Sequence, residues 1–103
     1  MKHFLLFYEV VENYAERRVP LRKLHLQHAL DAKARGELIL AGALANPADG
    51  AVLVFQGDSA AAAEKFAIDD PYVKNGLVTS WKVREWTTVV GDMASIQIDP
   101  QKL

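Results

Sequence analysis

The chain has 103 residues, half of them apolar, and a formal net charge of −1. That composition suits one folded domain rather than a disordered chain, and its near-neutrality leaves no electrostatic footprint for nucleic acid. It has no cysteine, which excludes disulfides and thiolate metal sites and fits a cytoplasmic protein.

In chain order, "HFLLFYEVV" is rich in aromatic and branched residues and predicts a first strand over 3–11. The opening "MKHFLLFYEVVENY" turns acidic too soon for a signal peptide, and no run is long enough to span a membrane. Pro20 suits the first turn of a helix predicted over about 19–35, with Gly36 as its C-terminal cap. "ELILAGAL" is the second strand, and "NPADG" is a turn in which Pro47 fixes one torsion and Gly50 permits another. "AVLVFQG" is the third strand. "DSAAAAEKFAIDD" is the second helix, capped by Asp58 or Ser59. "PYVKNG" is a short helical turn, and "LVTSWKVREWTTVV" predicts a fourth strand over 77–90. Residues 1–90 form the domain. The polar tail 91–103 is either disordered or paired with a partner chain, by an alternation at Ile96 and Ile98.

The order β-α-β-β-α-β is the ferredoxin-like arrangement, an α+β fold with a four-stranded antiparallel sheet and two helices on one face. The first and third strands, central in that topology, are apolar on both faces. Two helices cover one face only, so a second copy is expected on the other, as a sheet-to-sheet homodimer. The competing cover is the tail folded back over the sheet.

Chemistry is sparser. His25 and His28 lie one helical turn apart on the apolar arc of the first helix. Helix geometry alone favours buried histidines with satisfied hydrogen bonds. The zinc-protease spacing is i, i+4 with an intervening glutamate, whereas here it is i, i+3 around Leu26 and Gln27, so no metal is expected. Asp70, before Pro71, is explicable as the cap of the next turn. A histidine paired with a carboxylate is a standard base, but spacing does not show that Asp70 reaches His25. No phosphate loop or cofactor fingerprint is visible, and no cofactor is expected.

"ERRVPLRKLHLQHALDAKARGELILAGAL" followed by "AAAAEKFAIDDPYVKNGLV" resembles the YciI-like proteins over about residues 1–90. The shared pattern is an arginine-bearing helix entry, a His-Leu pair, a Gly-x-Leu stretch leading to Ala-Gly, and an Asp-Pro-Tyr step followed by glycine. Each motif is weak alone; their order makes the resemblance specific. It implies the same fold, in a dimeric α/β barrel, and a histidine–aspartate active-site pair that falls on His25 and Asp70. The entry arginines fall on Arg18 and Arg22, as ligands for an anionic substrate. One member of the family removes chloride from a chlorinated hydroxyhydroquinone, and muconolactone isomerase is a more distant dimeric barrel. The chain departs from the pattern at Ala43, where relatives usually carry proline, and His28 stands outside it, expected to pack beside His25.

The resulting expectation is a small cofactor-independent enzyme of lyase, isomerase or dehydrochlorinase type. His25 would be its base and Asp70 the orienting group, with Arg18, Arg22, Tyr8 and Tyr72 around a small anionic, cyclic or enolic ligand. The alternatives are a ligand-binding module without turnover and a structural domain with an empty cleft.

Overall fold

The structure, a computed structural model, describes residues 1–103. Strand β1 (Lys2–Val10) is followed by a short helix α1 (Tyr14–Arg17), a 3-10 turn at Val19–Leu21 and the long helix α2 (Arg22–Ala34). Strands β2 (Leu38–Ala43) and β3 (Gly50–Gly57) precede helices α3 (Ala61–Asp69) and α4 (Pro71–Lys74), then strand β4 (Val78–Trp86). A last 3-10 turn, Pro100–Lys102, lies near the end of the chain. The four strands form one antiparallel sheet in the order β2-β3-β1-β4, the ferredoxin-like α+β arrangement.

Strand alternation decides which residues meet the helices. Phe4, Leu6 and Tyr8 of β1 and Leu53 and Phe55 of β3 point to the helical face and are buried. There they form one core with Ala32 of α2 and Ala63, Phe66 and Ala67 of α3. The other face carries Leu5, Phe7, Val52 and Val54, which stay half-buried in the single chain, and the Lys82 ammonium lies over the Phe7 ring at 5.5 Å.

Several boundaries differ from the sequence reading. The first helix does not run unbroken over 19–35. Asn13, in a left-handed conformation (φ 59°), starts a helix at Tyr14. Pro20 has no N–H to continue that ladder, so the chain tightens to an i→i+3 bond, Leu21 N to Arg18 O at 2.9 Å, before α2 begins. The second helix starts at Ala61 with Ala60 as its cap residue; Ser59 Oγ still accepts from Ala61 N at 3.3 Å. Strand β4 ends at Trp86 rather than residue 90, because Trp86 already pairs with His3 and β1 has almost no chain left beyond it. Gly50 has no left-handed torsion. It is needed for space, since a Cβ there would lie 2.9 Å from the Tyr8 carbonyl oxygen. Gly36, at φ 78°, does close α2.

The tail is tied at its root. Ile96 N donates to Thr88 O (3.1 Å), and Ser95 N donates to Thr88 Oγ1 (2.8 Å), a hydroxyl that also lies 2.6 Å from His3 Nδ1. Beyond that root Ile96, Ile98 and Leu103 are exposed. No helix is long and apolar enough to cross a membrane.

Candidate active site

Pro71 disfavours helical geometry at the residue before it. Asp70 is accordingly extended (φ −67°, ψ 125°), ends α3 and caps α4, its Oδ1 accepting from Tyr72 N at 2.9 Å. The same bend aims its carboxylate at α2. Asp70 Oδ1 also faces His25 Nδ1 at 2.8 Å, and its Oδ2 accepts from the Tyr8 hydroxyl at 2.7 Å. Asp70 is 0% exposed. A charge buried this deeply is tolerable only with donors on both oxygens, and here three donors supply them.

The partner fixes the histidine. A carboxylate oxygen only accepts, so Nδ1 of His25 carries a proton, and in the neutral imidazole Nε2 is the nitrogen with the lone pair. The ring stacks on Tyr72, with centroids 3.8 Å apart and planes 7° from parallel, and meets Phe66 edge-on at 6.5 Å. It is thus held by a hydrogen bond at one edge and an aromatic face on one side.

His25 borders a cavity of about 250 Å³. Its wall on the sheet side is made of small residues. Across the strands, Ala43 pairs with Ala51 and Ala51 with Tyr8; Ala41 pairs with Leu53. Short side chains under α2 cannot fill the gap, so space remains between that helix and the β2–β3 edge. The mouth carries Arg18 and Arg22 beside Tyr14 and Tyr72. The carboxylates that pair with a lysine or arginine are Glu85, with Lys2, and Glu37, with Arg35, so neither of these arginines is neutralised by a carboxylate. Arg18 lies over the Tyr14 ring at 5.2 Å.

Electrostatics keep the phenols protonated. Burial pushes the Tyr8 hydroxyl far above the ordinary tyrosine value, and the Asp70 charge adds to it. Burial also raises Tyr72, as does Tyr14, against the lowering effect of Arg18 and Arg22. Tyr8 is therefore a donor to Asp70, and a wall of the cavity through its ring.

His28 is placed elsewhere. Its Nε2 donates to the Phe66 carbonyl at 3.0 Å and its ring stacks on Phe66 at 4.2 Å, so it locks α2 to α3 behind the site. The two histidines thus hold opposite tautomers and do not converge on one point, and no group of three or more His, Cys, Asp or Glu side chains is arranged to hold a metal. Tyr14, Leu26, Ala29 and the alanine wall are site residues the sequence reading missed. Tyr14 and Arg18 stand four apart, a helical spacing that would have exposed the pair had a helix been placed there. A wider groove of about 420 Å³ lies on the opposite sheet face, between Leu40, Val54, Trp86 and the tail; it is apolar and holds no comparable chemistry.

A family model described as the YCII-related domain matches residues 1–87. The chain belongs to that family. The YCII-related chain is also similar in structure to 5-chloro-2-hydroxyhydroquinone dehydrochlorinase from Burkholderia phenoliruptrix in complex with 2,5-dihydroxybenzoquinone. The TM-score is 0.70 at 20% identity, covering 84% of this chain and 94% of that one. A protein from Agrobacterium tumefaciens matches with a TM-score of 0.58 at 11% identity, covering 94% of this chain and all of that one. At these identities the likeness is one of fold. No curated protein matches the YCII-related chain.

Proposed function

We propose that this protein is a small enzyme that moves a proton on a small anionic, cyclic or enolic substrate, using the side chains of His25 and Asp70. One observation carries the reading: Nδ1 of His25 is occupied by a fully buried carboxylate, which leaves Nε2 for a cavity shared with two unpaired arginines. Imidazole titrates near neutrality and serves as base and acid in turn. Nε2 takes the substrate proton, and the Asp70 charge stabilises the imidazolium that results. In an elimination the leaving group departs with its electron pair, as chloride would. In an isomerisation the same proton returns to a different atom. Arg18 and Arg22 hold the carboxylate or phenolate of the substrate.

The size of the cavity supports this substrate class. A dry cavity of roughly 150 Å³ already holds benzene, so about 250 Å³ admits one substituted ring. The dehydrochlorinase of similar fold is named for a chlorinated hydroxyhydroquinone and was solved with a dihydroxybenzoquinone, which makes such rings the first compounds to try. We also propose that the open sheet face meets a second copy of the chain.

The test is turnover of chlorinated hydroquinones and muconolactones, followed by chloride release and ultraviolet absorbance. His25→Ala is expected to lose roughly 10²–10⁴ in kcat, and Arg22→Ala to raise KM about tenfold. Equal turnover in wild type and His25→Ala overturns the catalytic reading. The cavity and its unpaired guanidiniums also suit a binding module. Stabilisation by 2,5-dihydroxybenzoquinone that vanishes in Arg22→Ala, with no reaction of that compound, favours that second reading.

A further inference from the structure

Asp70 is held unequally at its two oxygens. Oδ1 is shared by the backbone N–H of Tyr72 and by His25, whereas Oδ2 has a single partner, the Tyr8 hydroxyl. The terminal torsion of an aspartate is broad and soft. Contacts at Oδ1 therefore fix where that atom lies, and the contact at Oδ2 fixes how the carboxylate plane is turned. Tyr8 reaches it from the opposite layer of the molecule. It sits on a central strand paired on both sides, to Ala51 and to Trp81, so its position is set by the whole sheet. Tyr8 is 4% exposed and Asp70 is fully buried, so their hydrogen bond is shielded from bulk solvent.

We propose that Tyr8 is a positioning residue for this site, the outer member of a Tyr8–Asp70–His25 chain that decides which nitrogen of His25 faces the cavity. This rests on the reading of His25 as the base. Unrestrained imidazole favours the tautomer protonated at Nε2, which has no lone pair to offer there. Only a carboxylate turned squarely toward Nδ1 reverses that preference, in the way that outer partners fix ring orientation at metal-bound histidines. The other titratable groups around the ring are Arg18 and Arg22 at the mouth, Tyr14 on α1 and Tyr72 on α4. None of them bonds Nδ1, whose partner is Asp70. With phenylalanine at position 8, Oδ2 would be buried without a donor, and the carboxylate would turn to find one. A tyrosine serving only as packing predicts no change at His25 when the hydroxyl is removed.

The experiment is nitrogen-15 NMR of the three histidines in the unliganded protein, followed along a pH series so that the neutral rings are read directly. In wild type His25 should read as Nδ1–H and His28 as Nε2–H, each serving as reference for the other. In Tyr8→Phe the Nδ1–H form of His25 is expected to fall below half of the population and its hydrogen-bonded proton signal to broaden, with His28 unchanged. A protein carrying 4-aminophenylalanine at position 8 keeps a donor and should restore the wild-type pattern, which guards against a misfolded Tyr8→Phe. Retention of a pure Nδ1–H tautomer in folded Tyr8→Phe overturns the proposal. So does a mixed tautomer in the 4-amino variant. Because the signal is read without substrate, it is separate from whether turnover is found.

Discussion

At the scale of residues, Asp70 gathers more constraints than any other side chain. It ends one helix, caps the next, faces a histidine and accepts from a tyrosine 62 positions away in the chain. The cap was legible from Asp-Pro alone, because proline restricts the residue before it. The pairing with His25 was not, since 45 positions separate them and only the packing of α2 against α4 closes that distance. Tyr8 was readable as a strand residue, but its hydrogen bond was not, because strand sequence reports which face a side chain takes and not what it touches. The buried tyrosines make a stability prediction. Their folded-state hydroxyls are held above the usual value of about 10. The unfolded chain thus releases protons that the folded chain keeps, and stability, level below about pH 10, falls as pH rises beyond it. Urea melts at about pH 9 and about pH 11 should show a steep loss in wild type and a shallower one in Tyr8→Phe.

At the scale of elements, the site is assembled from two sources. His25 and Asp70 come from α2 and the α3–α4 junction, whereas the facing wall comes from β2 and β3. The small residues of "LAGA" read in sequence as an ordinary strand end, and their consequence appears only where α2 passes over them. Ala41→Phe is expected to fill the cavity and cut affinity for a ring-shaped anion at least about tenfold, while changing stability by less than about 1 kcal/mol. Isothermal calorimetry and a thermal melt on the same sample check both halves. The break before α2 escaped sequence reading for a definable reason. "ENYAERRVP" is polar and too short for a clear period, and a proline permits both a helix start and a tightened turn. That break matters, because it leaves Arg18 and Arg22 on either side of a bend at the mouth rather than along one straight helix.

At the scale of the whole molecule, element order and alternation were enough to give the sheet, since β1 and β3 carry apolar residues at successive positions and take the centre of the order. The uncovered face follows from the same pattern. Leu5, Phe7 and Val52 stand there without a layer above them, and the tail borders a groove that crosses one end of the face, from Leu40 past Val54 and His3 to Trp86. Sedimentation equilibrium is expected to give a dimer in wild type and a monomer in Val52→Lys, which sets a charge beside Phe7 on the part of that face away from the tail. A monomeric wild type at micromolar concentration would remove the sheet-to-sheet assembly. The division of the site between layers has an evolutionary corollary. A mutation at Ala41 or Ala43 resizes the chamber from the strand side, away from the hydrogen bonds that hold His25, whereas one at Tyr8 or His25 changes the wall and those hydrogen bonds together. Lineages built on this scaffold can therefore change what the chamber admits at the alanine wall without first altering the His25–Asp70 contact.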